Sequence, residues 1–216
     1  MKQNIYKLTV SYDIITIGYT MIEPTKKEQE ALLTLYKDFA SFYNANSLSK
    51  KLEITQVGTM KLLKRFEKEN FVVSKKIGKS IVYKINVKEE IVRKLLAFAL
   101  VNESQKYVRW KDEFKGLYKE GRIILFYGSA SRNYAQARDI DVMIVLEKKD
   151  VPEINKKIIE IQGPLPKKIH SIKATKEDLI KNIRNKNDAM MEIIKTAIVL
   201  YGYDDYMEII NGFTNF

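Results

Sequence analysis

The fold of this chain is indicated most clearly by residues 125–146, which read LFYGSASRNYAQARDIDVMIVL. An apolar run ends at Gly128 and Ser129, a short polar passage follows, and a second apolar run begins with Asp139 and Asp141. Two acidic side chains at the start of a buried strand are costly unless a cation lies against them. We therefore expect either a bound metal ion or a nearby Lys or Arg to neutralise this pair.

Strand geometry makes a shared metal site feasible. In a strand, Asp139 and Asp141 project from one face, and their Cα atoms lie about 6.5–7 Å apart. Their carboxylates can then lean together over one divalent cation or a close pair of them. Gly128 lets the backbone approach a ligand closely, and Ser129 is expected near a helix N-terminus, where free N–H groups attract phosphate.

The segment GSASRNYAQARDIDV resembles the nucleotidyltransferase superfamily that includes polymerase β, kanamycin nucleotidyltransferase and the minimal nucleotidyltransferases of prokaryotes. The shared pattern is an apolar strand, Gly-Ser, a spacer (residues 130–138 here) and then Asp-apolar-Asp-apolar. The resemblance implies that Gly128 and Ser129 bind a nucleoside triphosphate, with Arg132 as a further phosphate contact. It also implies that Asp139 and Asp141 hold Mg²⁺ or Mn²⁺ and are catalytic.

The chain departs from this family at the third carboxylate, which active relatives carry on a later strand. The matching strand should lie within residues 167–175, KKIHSIKAT, which contain no acid. His170 or Ser171 falls nearest to that place. His170, with an ordinary pKa near 6.5, is a candidate catalytic base, and a packed strand residue is the alternative. Glu177, Asp178 and Glu192 would need a different geometry to substitute.

Residues 24–87 show a second pattern, of three helices followed by two short strands. Helices are expected over residues 26–43, 46–52 and 56–69, with Thr55 as an N-cap and Asn70 in a left-handed conformation. Strands are expected over 71–76 and 80–86, with a turn at Gly78 between them. This order resembles the winged helix-turn-helix domains of archaeal and bacterial transcription regulators.

Basic residues are concentrated in this second pattern. Residues 47–84 hold ten basic and three acidic side chains. Leu63, Phe66 and Thr59 should face inward on the third helix, leaving an outward face that fits a major groove. The candidate contacts to double-stranded DNA are Gln56, Met60, Lys61 and Lys64 on the helix and Lys75, Lys76 and Lys79 on the wing. The alternative is a solvated face on a protein–protein module.

Two other regions are less informative. Residues 1–22 alternate apolar and polar positions and predict a strand or hairpin of unknown role. Residues 88–120 predict one long linker helix that could form a homodimer. Its predicted apolar stripe consists of Ile91, Leu95, Phe98, Trp110, Phe114 and Leu117. Residues 121–216 then form the nucleotidyltransferase-like domain, so the expected fold class is α+β with a mixed sheet in that domain.

Composition restricts the chemistry further. Cysteine is absent and there is one histidine, so disulfides, thiolate catalysis and multi-His metal sites are excluded. No apolar run approaches the roughly 20 residues that span a bilayer, and no convincing signal peptide is present, so we expect a cytoplasmic protein without a membrane partner. The net charge of +11 favours an anionic partner.

Two functions follow from these patterns, with a third kept open. The first is an enzyme that transfers a nucleotidyl group from a Mg²⁺-bound triphosphate to a hydroxyl acceptor. The second is a DNA-binding transcriptional regulator whose nucleotidyltransferase-like domain binds nucleotide, or mediates assembly, without turnover. The third is an antitoxin-like scaffold that binds a toxin-like protein partner, with neither catalysis nor nucleotide, and it predicts no metal-dependent nucleotide binding.

Overall fold

The computed structural model describes residues 24–214, and within them the chain is α+β. The α-helices are α1 (Lys26–Lys37), α2 (Ala45–Leu52), α3 (Gln56–Lys68), α4 (Glu90–Ser104), α5 (Val108–Glu113), α6 (Gly128–Arg132), α7 (Val151–Gln162), α8 (Lys176–Arg184), α9 (Asp188–Thr196) and α10 (Tyr203–Asn211). The strands are β1 (Val72–Ile77), β2 (Ser80–Ile85), β3 (Ile123–Tyr127), β4 (Asp139–Val145), β5 (Lys168–Ala174) and β6 (Ile198–Tyr201). Single-turn 3₁₀ helices occur at Gln105–Tyr107, Lys115–Leu117 and Lys148–Asp150.

Each of the first three helices begins directly after an N-cap residue. The side chains of Thr25, Asn44 and Thr55 each accept a hydrogen bond from the first turn of α1, α2 and α3, respectively. Asn70 follows α3 with φ at 58°, which a short polar side chain tolerates. The cap predicted at Thr55 and the left-handed Asn70 are therefore both confirmed.

Strands β1 and β2 form an antiparallel hairpin whose turn contains Gly78 at φ 59°. The hairpin is held to the helices by the amide of Tyr83, which donates to the carbonyl of Tyr43 at 2.8 Å. On α3, the three residues predicted to face inward, Thr59, Leu63 and Phe66, are all buried. Helix α3 therefore turns its opposite face to solvent.

Two details of this region differ from the sequence prediction. Helix α1 ends at Lys37 rather than near residue 43, because the Asp38 carboxylate accepts hydrogen bonds from Ser41 and Tyr43 and closes a turn. Lys84, which the charge count included among the basic residues, is buried and donates to the carbonyls of Phe39 and Ser41. Lys84 is therefore not available to an external partner.

The single linker helix predicted over residues 88–120 is interrupted. Helix α4 ends at Ser104, a 3₁₀ turn follows, and α5 is short. The reason is packing: Leu95 and Leu96 of α4 contribute to one apolar core, whereas Trp110 contributes to another. The predicted apolar stripe is also wrong in part, since Ile91 and Phe98 are exposed.

The four-stranded sheet has the order β5-β4-β3-β6 and is mixed, as expected. Strand β3 pairs antiparallel with β4 and β6, whereas β4 and β5 run parallel. Strand alternation separates the two cores. Leu125 and Met143 point to the core that contains α4, α9 and α10, and Phe126 and Val142 point to the core that contains Trp110 and α7.

The N-terminal helices pack directly against the last part of the chain. The hydroxyl of Tyr36 on α1 donates to Oδ1 of Asn211 at 3.0 Å. Nζ of Lys37 donates to Glu103 at 2.5 Å and to the carbonyl of Ala197 at 2.7 Å. These contacts join α1, α4 and the residues that flank α9 and α10.

A search of residues 24–214 for helices that are both long and apolar enough to cross a bilayer finds none.

Candidate functional site

One end of the four-stranded sheet gathers four polar side chains on a single face. Tyr127 at the end of β3 pairs with Asp141 of β4, and Asp141 in turn pairs with His170 of β5. Asp139 lies two residues before Asp141, and therefore on the same face. Farther along this face, the sheet is covered by the core that contains Met143, so the polar cluster occupies its uncovered end.

The carboxylates and the imidazole lie close enough to share a ligand. Nδ1 of His170 is 3.1 Å from Oδ2 of Asp139 and 3.9 Å from Oδ1 of Asp141. One potential ligand atom from each residue lies within 4.8 Å of the others. Both aspartate side chains are partly exposed, and that of His170 is 58% exposed. The group is thus open to solvent and to ligands.

Gly128 makes room for the Asp141 carboxylate because it has no side chain. Its φ is 77°, and a Cβ built on it would lie 2.1 Å from Oδ2 of Asp141. Only glycine fits this position without displacing the carboxylate. The Asp141 carboxylate therefore lies directly over the first residue of α6.

The electrostatics show that the two aspartates lack a strong counter-charge. Burial raises the pKa of Asp141 above its ordinary value, the charge of Asp139 adds to this effect, and His170 opposes it. Within residues 24–214, no Lys or Arg forms an ion pair with either aspartate. The sequence allowed two ways to neutralise the aspartates, a bound metal ion or a nearby Lys or Arg. Among residues 24–214, no Lys or Arg takes this role.

Tyr127 is a site residue that sequence reasoning did not single out. Burial raises its pKa to about 12, and the charges of Asp141 and then Asp139 contribute to the increase. Its position as the last residue of β3, next to Gly128, was the available signal. The hydroxyl therefore stays protonated near neutral pH and is available as a hydrogen-bond donor beside the carboxylates.

The other two predicted nucleotide contacts lie on α6. Ser129 is half-buried in the first turn of this five-residue helix, next to Gly128. Arg132 is exposed at the last position of the helix, and within residues 24–214 its side chain makes no ion pair or hydrogen bond. Ser129 thus follows the residue that contacts Asp141, whereas Arg132 is not bonded to either aspartate.

Strand β5 contributes an imidazole, and no carboxylate, beside the two aspartates. The strand reads KIHSIKA and contains no acid, and His170 is the residue in register with Asp141. Ser171 accepts from Nζ of Lys173 at 2.7 Å and belongs to the opposite face. Glu177 and Asp178 follow the far end of β5, in the first turn of α8, and so do not join the cluster.

The donor set fits a divalent cation. Two carboxylates and solvent suit Mg²⁺, which keeps several waters, and the added imidazole nitrogen also suits Mn²⁺. Asp139 and Asp141 are the residues that would hold it, and the imidazole of His170 would add a nitrogen ligand only when it does not act as a base. The place that a side chain at residue 128 would take is occupied by the Asp141 carboxylate, so glycine at this position keeps that metal-binding group in place.

The residues predicted to contact DNA form an exposed surface on α3 and the hairpin. All seven are solvent-exposed: Gln56, Met60, Lys61, Lys64, Lys75, Lys76 and Lys79. Arg65, by contrast, pairs with Glu28 and Glu69. Arg65 and Lys84 are thus engaged within the protein, whereas Lys61, Lys64, Lys76 and Lys79 have no ion-pair partner among residues 24–214.

No known family model matches the chain, and no curated protein matches it. Among solved structures, it is similar to Corynebacterium glutamicum OxyR in its oxidized form, with a TM-score of 0.33 and 13% sequence identity. The similarity covers 77% of this chain and 44% of that chain, so this chain spans less than half the length of the OxyR chain. A TM-score this low supports no argument about fold or function.

Proposed function

We propose that this chain is a DNA-associated nucleotidyltransferase, which moves a nucleotidyl group from a Mg²⁺- or Mn²⁺-bound nucleoside triphosphate to a hydroxyl acceptor. In this proposal, residues 121–214 are a nucleotidyltransferase-like domain and residues 24–87 are a winged helix-turn-helix. The observation that carries it is the position of the Asp141 carboxylate over Gly128, beside Asp139 and His170 and without a Lys or Arg partner in the described chain.

Each site residue has a role in the proposed transfer. Asp139 and Asp141 hold the cation, and the backbone of Gly128 and Ser129 binds the triphosphate. The cation supplies Lewis-acid stabilisation of charge on the phosphate oxygens. The acceptor oxygen bonds to the α-phosphorus as the bond to the β-phosphate oxygen breaks, and pyrophosphate leaves. His170 takes the hydroxyl proton at the ring nitrogen that is not facing Asp139.

A second function is supported by one observation, the absence of an acid from β5. If His170 cannot replace the family's third carboxylate, the same site binds a metal–nucleotide complex without turnover. The chain is then a DNA-binding transcriptional regulator that senses a nucleotide or, if the site binds no nucleotide, an antitoxin-like protein that binds a partner protein. Both functions use the exposed basic surface of α3 and the hairpin, and both place the protein in the cytoplasm.

The two functions are separated by incubation with each labelled nucleoside triphosphate in turn, with Mg²⁺ or Mn²⁺, and candidate hydroxyl acceptors. We expect pyrophosphate release in the wild type and none in Asp139→Ala/Asp141→Ala. Asp112→Ala/Asp188→Ala is the matched control, because both residues are exposed acids on other helices. Metal-dependent nucleotide binding without pyrophosphate favours the regulator. No metal-dependent nucleotide binding contradicts both the enzyme and the nucleotide-sensing regulator and leaves only the antitoxin-like protein.

DNA binding is tested independently by titrating a labelled duplex at several salt concentrations. Because lysines that contact phosphates release counterions, the logarithm of affinity should fall linearly with the logarithm of salt concentration. Lys61→Gln/Lys64→Gln should weaken binding and reduce this slope by about 2. Lys115→Gln/Lys156→Gln removes the same charge elsewhere and should leave the slope unchanged, whereas a flat wild-type slope would exclude phosphate contacts.

A further inference from the structure

A cleft lies where the N-terminal helices meet the rest of the chain. Its volume is about 470 Å³, and its walls come from α1, α2, α4 and α9. It shares no residue with the Asp-Asp-His cluster. The floor is apolar, because Leu33, Leu52 and Ala99 are all buried there. A flat apolar group therefore has a surface to pack against.

The interior charges of the cleft are already neutralised. Lys37, whose side chain is 5% exposed, pairs with Glu103 at 2.5 Å. Asp38, 8% exposed, pairs with Nζ of Lys195 at 3.3 Å. Burial acts to raise the pKa of Asp38, but hydrogen bonds from Tyr43 and Ser41 and the charge of Lys195 outweigh it and hold the pKa below its ordinary value. These pairs leave no acid inside the cleft in need of a cation.

The remaining acid and the remaining lysines leave a positive excess. Glu30 pairs with Lys27 at 2.7 Å. Three further lysines line the cleft, Lys26, Lys51 and Lys106, and all three are exposed. Within residues 24–214, none of them has an ion-pair partner. A cleft with an apolar floor and three unneutralised ammonium groups is complementary to an organic anion.

We propose that this cleft binds a small organic anion, with a flat apolar body on Leu33, Leu52 and Ala99 and a phosphate or carboxylate group among the three lysines. The walls belong to the N-terminal helices, to α4 and to α9. A ligand that contacts all of them favours the arrangement in which these elements are packed together. The cleft is thus a second ligand site, and its ligand stabilises the junction between the basic surface and the sheet.

The test is a ¹H–¹⁵N NMR titration of the full chain with phenyl phosphate, benzoate and phenol. We expect phenyl phosphate or benzoate to shift the amides of Thr34, Ala99 and Asn102 saturably at concentrations up to about 10 mM. Saturation by one of the two identifies the preferred anionic group. Equal binding of neutral phenol would overturn the role of charge, and shifts confined to other regions, or no saturable shift, would overturn the site.

Variants check that the lysines carry the charge recognition. Lys26→Gln/Lys51→Gln/Lys106→Gln should weaken the anion by about tenfold or more, and exposed side chains of this kind rarely affect folding. Lys115→Gln/Lys156→Gln/Lys181→Gln is the matched control on other surfaces. Unchanged affinity in the first variant, or equal loss in both, would contradict the proposal. Neither variant alters the Asp-Asp-His cluster, so the result is independent of the proposed nucleotidyl transfer.

Discussion

The two ends of strand β4 carry acidic groups that are neutralised in opposite ways. Beyond its C-terminal end, Asp150 pairs with Nη2 of Arg122 at 2.9 Å and with Nζ of Lys119 at 3.1 Å. At its N-terminal end, the one basic side chain among residues 24–214 that pairs with Asp139 and Asp141 is that of His170. The fold thus supplies fixed cations where the acid holds the structure together. It omits them where we propose that a mobile cation binds.

A glycine at each end of β3 extends this contrast. Gly202, at φ 78°, lies against the backbone carbonyl of Arg122, and Gly128, at φ 77°, lies against the side chain of Asp141. A backbone neighbour cannot move away, whereas a carboxylate can rotate. The same substitution at these two positions should therefore affect stability at one end and ligand binding at the other.

The largest expected effect is that of Gly202→Ala. A left-handed alanine and a 2.1 Å contact with the Arg122 carbonyl should together cost about 4 kcal/mol of unfolding free energy. Gly128→Ala should cost only about 1–2 kcal/mol but should abolish metal-dependent nucleotide binding. Denaturant unfolding measures the loss of stability, and nucleotide titration measures the loss of binding. Gly116→Ala is the control, because a Cβ at that position meets open space. Equal destabilisation by both would contradict the proposed difference.

Arg122→Met should have the next largest effect. The Arg122 side chain is 2% exposed and bridges Asp150 and Glu153, while its Nη1 donates to the carbonyl of Leu117. Removing one partner of a buried pair leaves uncompensated charge, which should lower Tm by about 10 °C. His170→Ala, at the other end of the sheet, should change Tm by about 1 °C or less, because that side chain is largely exposed. A comparable fall in both variants would show that the cluster with His170 is also structural.

The features that the sequence predicted well are local or strictly periodic. Thr55 caps α3 and Asn70 is left-handed because both depend on neighbouring residues alone. The shared face of Asp139 and Asp141 follows from the two-residue period of a strand. The sequence also limited the residue beside the aspartates on the next strand to His170 or Ser171, and the register of β4 with β5 selects His170.

The features that the sequence did not predict depend on tertiary packing. Lys84 and Arg122 look like solvent-exposed charges in sequence, but distant carbonyls and carboxylates make their burial possible. The interruption of the linker helix near Ser104 reflects two cores on opposite faces of one sheet, which no local pattern reveals. The exposed Phe98 likewise shows that helical spacing alone does not determine which stripe faces inward.

Asp141→Asn and Asp150→Asn should change stability in opposite directions. Hydrogen bonds from Arg122 and Lys119 hold the pKa of Asp150 below its ordinary value, whereas burial raises the pKa of Asp141. At pH 7 with a chelator present, Asp150→Asn should lower Tm. Asp141→Asn should raise Tm. The gain in unfolding free energy should be less than about 1 kcal/mol, because solvent screens this partly exposed carboxylate.

The Tm changes caused by Asp150→Asn and Asp141→Asn should also depend on pH in different ways. Asp150 contributes stability above the unfolded pKa of about 4, and that contribution is lost only as pH falls through its lower folded pKa. Asp141 is unfavourable above its raised folded pKa, and this penalty disappears as pH falls towards about 4. Thermal unfolding from pH 7 to pH 3 follows both. A stabilising Asp150→Asn, or a destabilising Asp141→Asn without metal, would refute the contrast.

The smallest expected effect is that of Lys119→Gln. Lys119 contacts the same carboxylate as Arg122, but its side chain is 51% exposed, so water and salt screen the interaction. Its loss should lower Tm by no more than about 1 °C at low salt and by less at high salt. Arg122→Met should keep its full effect at both salt concentrations, because the buried guanidinium is shielded from ions. A salt-independent loss of several degrees in Lys119→Gln would mean that exposure does not set the strength of this cluster. In that case an exposed lysine would neutralise an aspartate as well as a buried arginine does. The lack of a fixed cation at Asp139 and Asp141 could then no longer be attributed to how exposed their site is.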